Sequence, residues 1–89
     1  MRSKLQLVRY WFTFKKSNAA TPLNIGCGVT AYGLEDTREI MSETVLKGKE
    51  PVLEVSYVEN VDISSLDDNH VRPNMGSPVV RGVWFPMQS

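Results

Sequence analysis

The sequence predicts a small α+β domain: a two-layer sandwich with one helix on one face of a four-stranded, mainly antiparallel sheet, in the order β-β-α-β-β. Three observations carry this. Residues 5–15 (LQLVRYWFTFK) alternate with period two, residues 34–47 (LEDTREIMSETVLK) carry one apolar stripe at helical spacing, and two further β-rich runs, 52–61 and 79–85, follow that helix. No internal repeat, low-complexity tract or linker divides the 89 residues, so 1–89 reads as a single domain.

The first run sets Val8, Tyr10, Phe12 and Phe14 on one face and Leu7, Arg9, Trp11, Thr13 and Lys15 on the other, an apolar face backed by a mixed one. Residues 16–23 (KSNAATPL) are small, polar and proline-bearing, which marks a loop. Residues 25–32 (IGCGVTAY) are punctuated by glycine, but Val29, Thr30 and Tyr32 suit a second, bulged strand. In the helix, Leu34, Thr37, Ile40, Met41, Thr44 and Val45 share a stripe, while Glu35, Arg38, Glu39 and Glu43 fall outside it. Gly33 is its expected N-cap, Glu35 and Asp36 meet the positive end of its dipole, Lys47 is expected in the last turn, and Gly48 can take the left-handed closing position. Pro51 opens a third strand over 52–61 (VLEVSYVENV), where Leu53, Val55 and Tyr57 alternate with Glu54, Ser56 and Val58. Residues 62–78 (DISSLDDNHVRPNMGSP) form a long irregular stretch with room for one helical turn at Ser64 or Ser65. Residues 79–85 (VVRGVWF) are the last strand, stopped by Pro86. One helix covers one sheet face; the other face is expected to meet water or a partner.

Composition bounds the function. A domain of this length buries only about 60 to 65 per cent of its unfolded surface, which excludes a two-domain enzyme. Ten Lys and Arg balance ten Asp and Glu, and this neutrality speaks against general nucleic-acid binding. The charge is unevenly spread: Arg2, Lys4, Arg9, Lys15 and Lys16 make the start basic, and every acid lies between Glu35 and Asp68. A basic edge and an acidic helix side are therefore expected, an arrangement that orients a charged partner. Cys27 is the only cysteine, so no intramolecular disulfide forms. The N-terminal apolar residues are interrupted by Gln6, Arg9 and Thr13, too often for a secretion signal or a membrane span, and a cytoplasmic, bacterial protein is the expectation.

The long loop gathers Asp67, Asp68, Asn69, His70 and Arg72 within six positions. An imidazole with a carboxylate to orient it and a guanidinium for an anion is one use of that set; turn capping, with His70 and Arg72 tying the loop to the sheet, is the other. Cys27 and His70 would make a nucleophile and base only if the fold joined them, and no local signature surrounds Cys27. GCGVTAYG lacks the lysine of a phosphate loop and the spacing of a dinucleotide fingerprint, so its glycines point to a bulge or tight turn. One histidine and one cysteine cannot build a zinc centre, and the acidic spacing is not that of a calcium loop; no metal or other cofactor and no catalytic residue is expected. Trp11, beside Arg9, and Trp84 are candidates for the uncovered sheet face, where tryptophan and arginine concentrate binding energy; sealing the core rim is the alternative use.

GCGVTAYGLED (26–36) and NHVRPNMGSPVVRGVWFP (69–86) together resemble two signature stretches of a family of small uncharacterised bacterial proteins. The resemblance implies that both stretches belong to one small domain; it raises Cys27, His70, Arg72, Asn74 and Trp84 as positions to test and implies no activity. Two functions stand as expectations. One is a non-enzymatic protein-interaction module, for example an immunity protein binding a basic toxin, using the uncovered sheet face and residues 67–76, with Arg9, Trp11, Asp67, Asp68, His70, Arg72, Asn74 and Trp84 as candidate contacts. The other is a small-ligand or nucleotide-binding domain, or weak hydrolase, built on His70, Arg72 and Asn74. A homodimer through sheet faces is a third possibility.

Overall fold

A computed structural model describes residues 6–15, 22–48 and 54–87. It contains β1 (Val8–Phe14), β2 (Cys27–Ala31), α1 (Leu34–Glu43), β3 (Glu54–Glu59) and β4 (Gly82–Phe85), with short 3-10 turns at Pro22–Asn24, Ile63–Ser65 and Arg72–Asn74. This is the expected α+β order. The strands form one sheet, β3-β1-β2-β4, and every neighbouring pair is antiparallel. The chain passes from β2 through α1 to β3, which lies on the far side of β1. The first strand is therefore central rather than an edge, and the basic edge expected from its sequence does not form on it.

The period-two pattern of β1 feeds two cores. Tyr10, Phe12 and Phe14 face the helix and are buried with Cys27, Val29 and Ala31 of β2 and with Ile40, Met41 and Val45. Burying aromatic and branched side chains of this size contributes about 1.5–3 kcal/mol each, so this layer holds α1 against the sheet. The helix lies over β2 and β4 and makes no comparable contact with β3.

The helix begins where its sequence indicates, with Gly33 as N-cap and Glu35 and Asp36 in the first turn, but it ends at Glu43. The Thr44 hydroxyl donates to the Ile40 carbonyl at 2.6 Å, and the Leu46 N–H closes a wider turn onto Met41 at 2.9 Å. Such a local side-chain bond competes with the helical ladder. Lys47 consequently lies in the following turn, which Gly48 continues at φ 72°. The third strand is described only from Glu54; the expected positions 51–53 lie outside the described residues. The fourth starts at Gly82 rather than Val79, because residues 78–81 turn and bend ahead of it.

Contrary to expectation, the second sheet face is not left to water or a partner but is covered by the chain itself. Residues after β3 fold back across it: Val61 and Val71 are buried with Trp84 and Phe85, flanked by Trp11, Ile63, Leu66 and Met75. A register shift opposite Gly28 and Val29 lets Trp84 and Phe85, adjacent in sequence, both pack on this side, with ring centroids 5.9 and 5.6 Å from Trp11. The glycines make this possible. A Cβ at Gly28 would sit 2.4 Å from the Trp84 ring, and one at Gly26 would sit 2.4 Å from Trp11.

Candidate functional site

The candidate loop is ordered by its own side chains. Asp67 accepts from the backbone N–H groups of Asn69 (2.7 Å) and His70 (3.2 Å), which closes a tight turn. His70 Nδ1 then lies 3.0 Å from the second Asp67 oxygen, Arg72 pairs with Asp68, and Asn74 donates to the His70 carbonyl at 3.0 Å. Asp67 is held below the ordinary carboxylate range, first by the Asn69 N–H and then by the His70 side chain. All of these side chains are exposed. They satisfy one another along the loop and do not tie it to the sheet, so that part of the expectation is corrected. Their polar groups are spent on one another, and the cleft described below is lined by other residues.

The loop is attached elsewhere. Arg9 Nε donates to the Val61 carbonyl at 3.1 Å, and the Val61 N–H donates back to the Arg9 carbonyl at 3.2 Å. Buried Thr30 accepts from Trp84 Nε1 at 3.1 Å and donates its own hydroxyl proton to the Pro78 carbonyl. Gly76 N–H reaches the Trp84 carbonyl at 2.7 Å. Arg9 is thus a clamp for the chain leaving β3, Trp11 is half-buried, and Trp84 is 1% exposed at the centre of the second core. Neither tryptophan stands on an uncovered face, which corrects their placement as interface anchors.

Cys27 and His70 are on opposite sides of the sheet. The thiol is fully buried in the helix-side core, and burial pushes its pKa up to about 12, so no thiolate is available for nucleophilic work. Among the described residues, no group of His, Cys, Asp and Glu is placed to hold a metal ion. No described helix is long and apolar enough to cross a membrane.

Two features were not singled out by the sequence. Arg81 grips Asp36 through Nε at 3.0 Å and through its terminal nitrogen, while Asp36 also accepts from the Tyr32 N–H at 3.0 Å. The Arg81 hydrogen bond, ahead of the Tyr32 N–H, holds the Asp36 carboxyl below its usual range. This cluster joins the start of α1 to the entry of β4, a structural task.

The other feature is β3. Among the described residues it pairs only with β1, and Val55, Tyr57 and Val58 are 63%, 41% and 51% exposed. Tyr57 stands opposite Phe12 and its ring lies 5.8 Å from that of Phe12, on the helix side; Val58 stands opposite Trp11, on the loop side. Both surfaces flanking the edge are therefore apolar. A cleft of about 240 Å³ opens where α1 stops short of β3, lined by Phe14, Met41, Leu46 and the Arg38–Glu54 ion pair (2.9 Å). A signal for this edge existed in EVSYVE, whose apolar residues fall on both faces between terminal acids. Comparison of the chain with protein-family models, with curated proteins and with solved structures finds no match.

Proposed function

We propose that this protein is a non-enzymatic protein-interaction module whose contact surface is the β3 edge and the acidic stretch that follows it. The observation that carries this reading is the exposure of Val55, Tyr57 and Val58 on a strand whose outer edge pairs with nothing among the described residues. Exposed strand edges that carry apolar side chains are templates for association unless a protein blunts them. An immunity protein masking a basic toxin is one form that such a module takes. The exposed loop around Asp67, Asp68, His70, Arg72 and Asn74 extends the acidic side of this surface. The ligand-binding or hydrolase alternative is not carried forward, because His70, Arg72 and Asn74 are committed to bonds within the loop.

The test is a pull-down from the native host with the wild-type chain and with Val55→Lys/Val58→Lys, both exposed positions. A specific partner retained by the first, lost by the second, and released as salt rises from about 0.1 M to about 0.5 M is the expected result. Equal recovery by both chains would remove β3 from the contact.

A further inference from the structure

We infer that the partner engages β3 by adding an extended strand of its own, and that this strand carries cationic residues flanking an apolar centre. This rests on the protein-binding reading above and specifies its geometry and chemistry.

The two edges of the sheet differ. β4 has four residues, and its Trp84 carbonyl is already occupied by the Gly76 N–H at 2.7 Å. β3 has six residues and, among the described residues, no backbone partner beyond β1. A strand paired on one side only leaves alternate N–H and C=O groups directed outward. Edges are commonly blunted by Lys or Pro, and residues 54–59 contain neither. Strand addition uses such a row of backbone groups for affinity and the flanking side-chain surfaces for selection. Here those surfaces are Tyr57 on the helix side and Val58 on the loop side, suited to apolar residues at the centre of an added strand.

Charge selects the flanks. Residues 54–68 hold five acids, Glu54, Glu59, Asp62, Asp67 and Asp68, and no Lys or Arg. Glu54 and Glu59 bracket the exposed apolar residues; Glu54 pairs with Arg38 and Asp68 with Arg72, so Glu59 and Asp62, in no ion pair among the described residues, carry the uncompensated charge. A cationic strand is attracted to this frame. A second copy pairing through its own β3 brings Glu59 and Asp62 against acids of the same kind, which disfavours self-association at this edge.

The probes are two synthetic peptides, acetyl-Lys-Val-Thr-Val-Thr-Lys-amide and the same sequence with Glu at both ends, titrated into the full-length isotope-labelled chain. The expected result is saturable shift changes from the basic peptide centred on residues 54–59, with slowed hydrogen exchange at alternate β3 amides. The acidic peptide is expected to bind at least about tenfold more weakly, and Glu59→Lys to reduce the preference for the basic peptide about fivefold. Circular dichroism confirms that the exposed Glu59 substitution leaves the fold intact. Shift changes confined to residues 67–76 overturn strand addition while leaving a protein-binding role standing. No response at β3, or equal response to both peptides, overturns it as well. A concentration-dependent dimer in sedimentation, protecting the same amides without peptide, assigns the edge to a second copy and overturns the cationic partner.

Discussion

At Gly28 the absent side chain is what the second core is built around, since the Trp84 ring occupies the space where a Cβ would be. Gly28→Ala must displace a fully buried indole, and overpacking of this kind costs about 1–3 kcal/mol. Urea denaturation should show that loss, and an unchanged midpoint would contradict the close contact. Cys27 sits on the other side of β2 with its thiol pKa raised to about 12 by burial. Thiol-specific reagents at neutral pH should therefore label it only as fast as the protein opens, and fully upon denaturation; rapid labelling of the native chain would place the thiol at the surface. Sequence reasoning placed Tyr10, Phe12 and Phe14 on one face because period two is a local property. The same reasoning could not place Trp84, because its face depends on a register shift in pairing with β2, a non-local event.

The elements follow their sequence signals where those signals are local and depart from them where tertiary contacts compete. α1 starts at its glycine cap and first-turn acids, yet stops at Glu43 because Thr44 bonds back to the Ile40 carbonyl. β3 shows the alternation expected of a half-buried strand but is exposed along nearly its whole length, since α1 covers β2 and β4 instead. Period identifies a strand; it does not say whether a helix will reach it. The link between α1 and β4 is electrostatic and titratable. Folding lowers the Asp36 pKa through Arg81, so its contribution is fully present above the unfolded value of about 3.9 and fades as pH falls through the lower folded value. Asp36→Asn should lower the urea midpoint at neutral pH, with the gap from wild type closing as pH falls below the ordinary carboxylate range. A gap independent of pH would show that the charge is not its source.

For the molecule as a whole, the two cores share strands: β1 sends Tyr10, Phe12 and Phe14 to one and Trp11 to the other, and β4 sends Val83 to the first and Trp84 and Phe85 to the second. Neither core can dissolve without disturbing the other's central strand. Both tryptophans report on the loop side, whereas far-ultraviolet circular dichroism is weighted toward α1, so the two signals should trace one coincident urea transition. An early fluorescence change would show that residues 61–78 detach first. The α+β class was legible because it needs only counts and periods of elements. The proposed binding surface was not, because the loop's return over the second face covers Trp84 and much of Trp11 and leaves Val55, Tyr57 and Val58 among the exposed apolar residues. The Gly76 to Trp84 bond has a consequence for assembly. A sheet with two free ends can stack copies head to tail into an open fibre, β3 of one against β4 of the next. With the Trp84 carbonyl already bonded to Gly76, the four-residue β4 offers that repeat an incomplete edge, and a β3-to-β4 fibre is disfavoured.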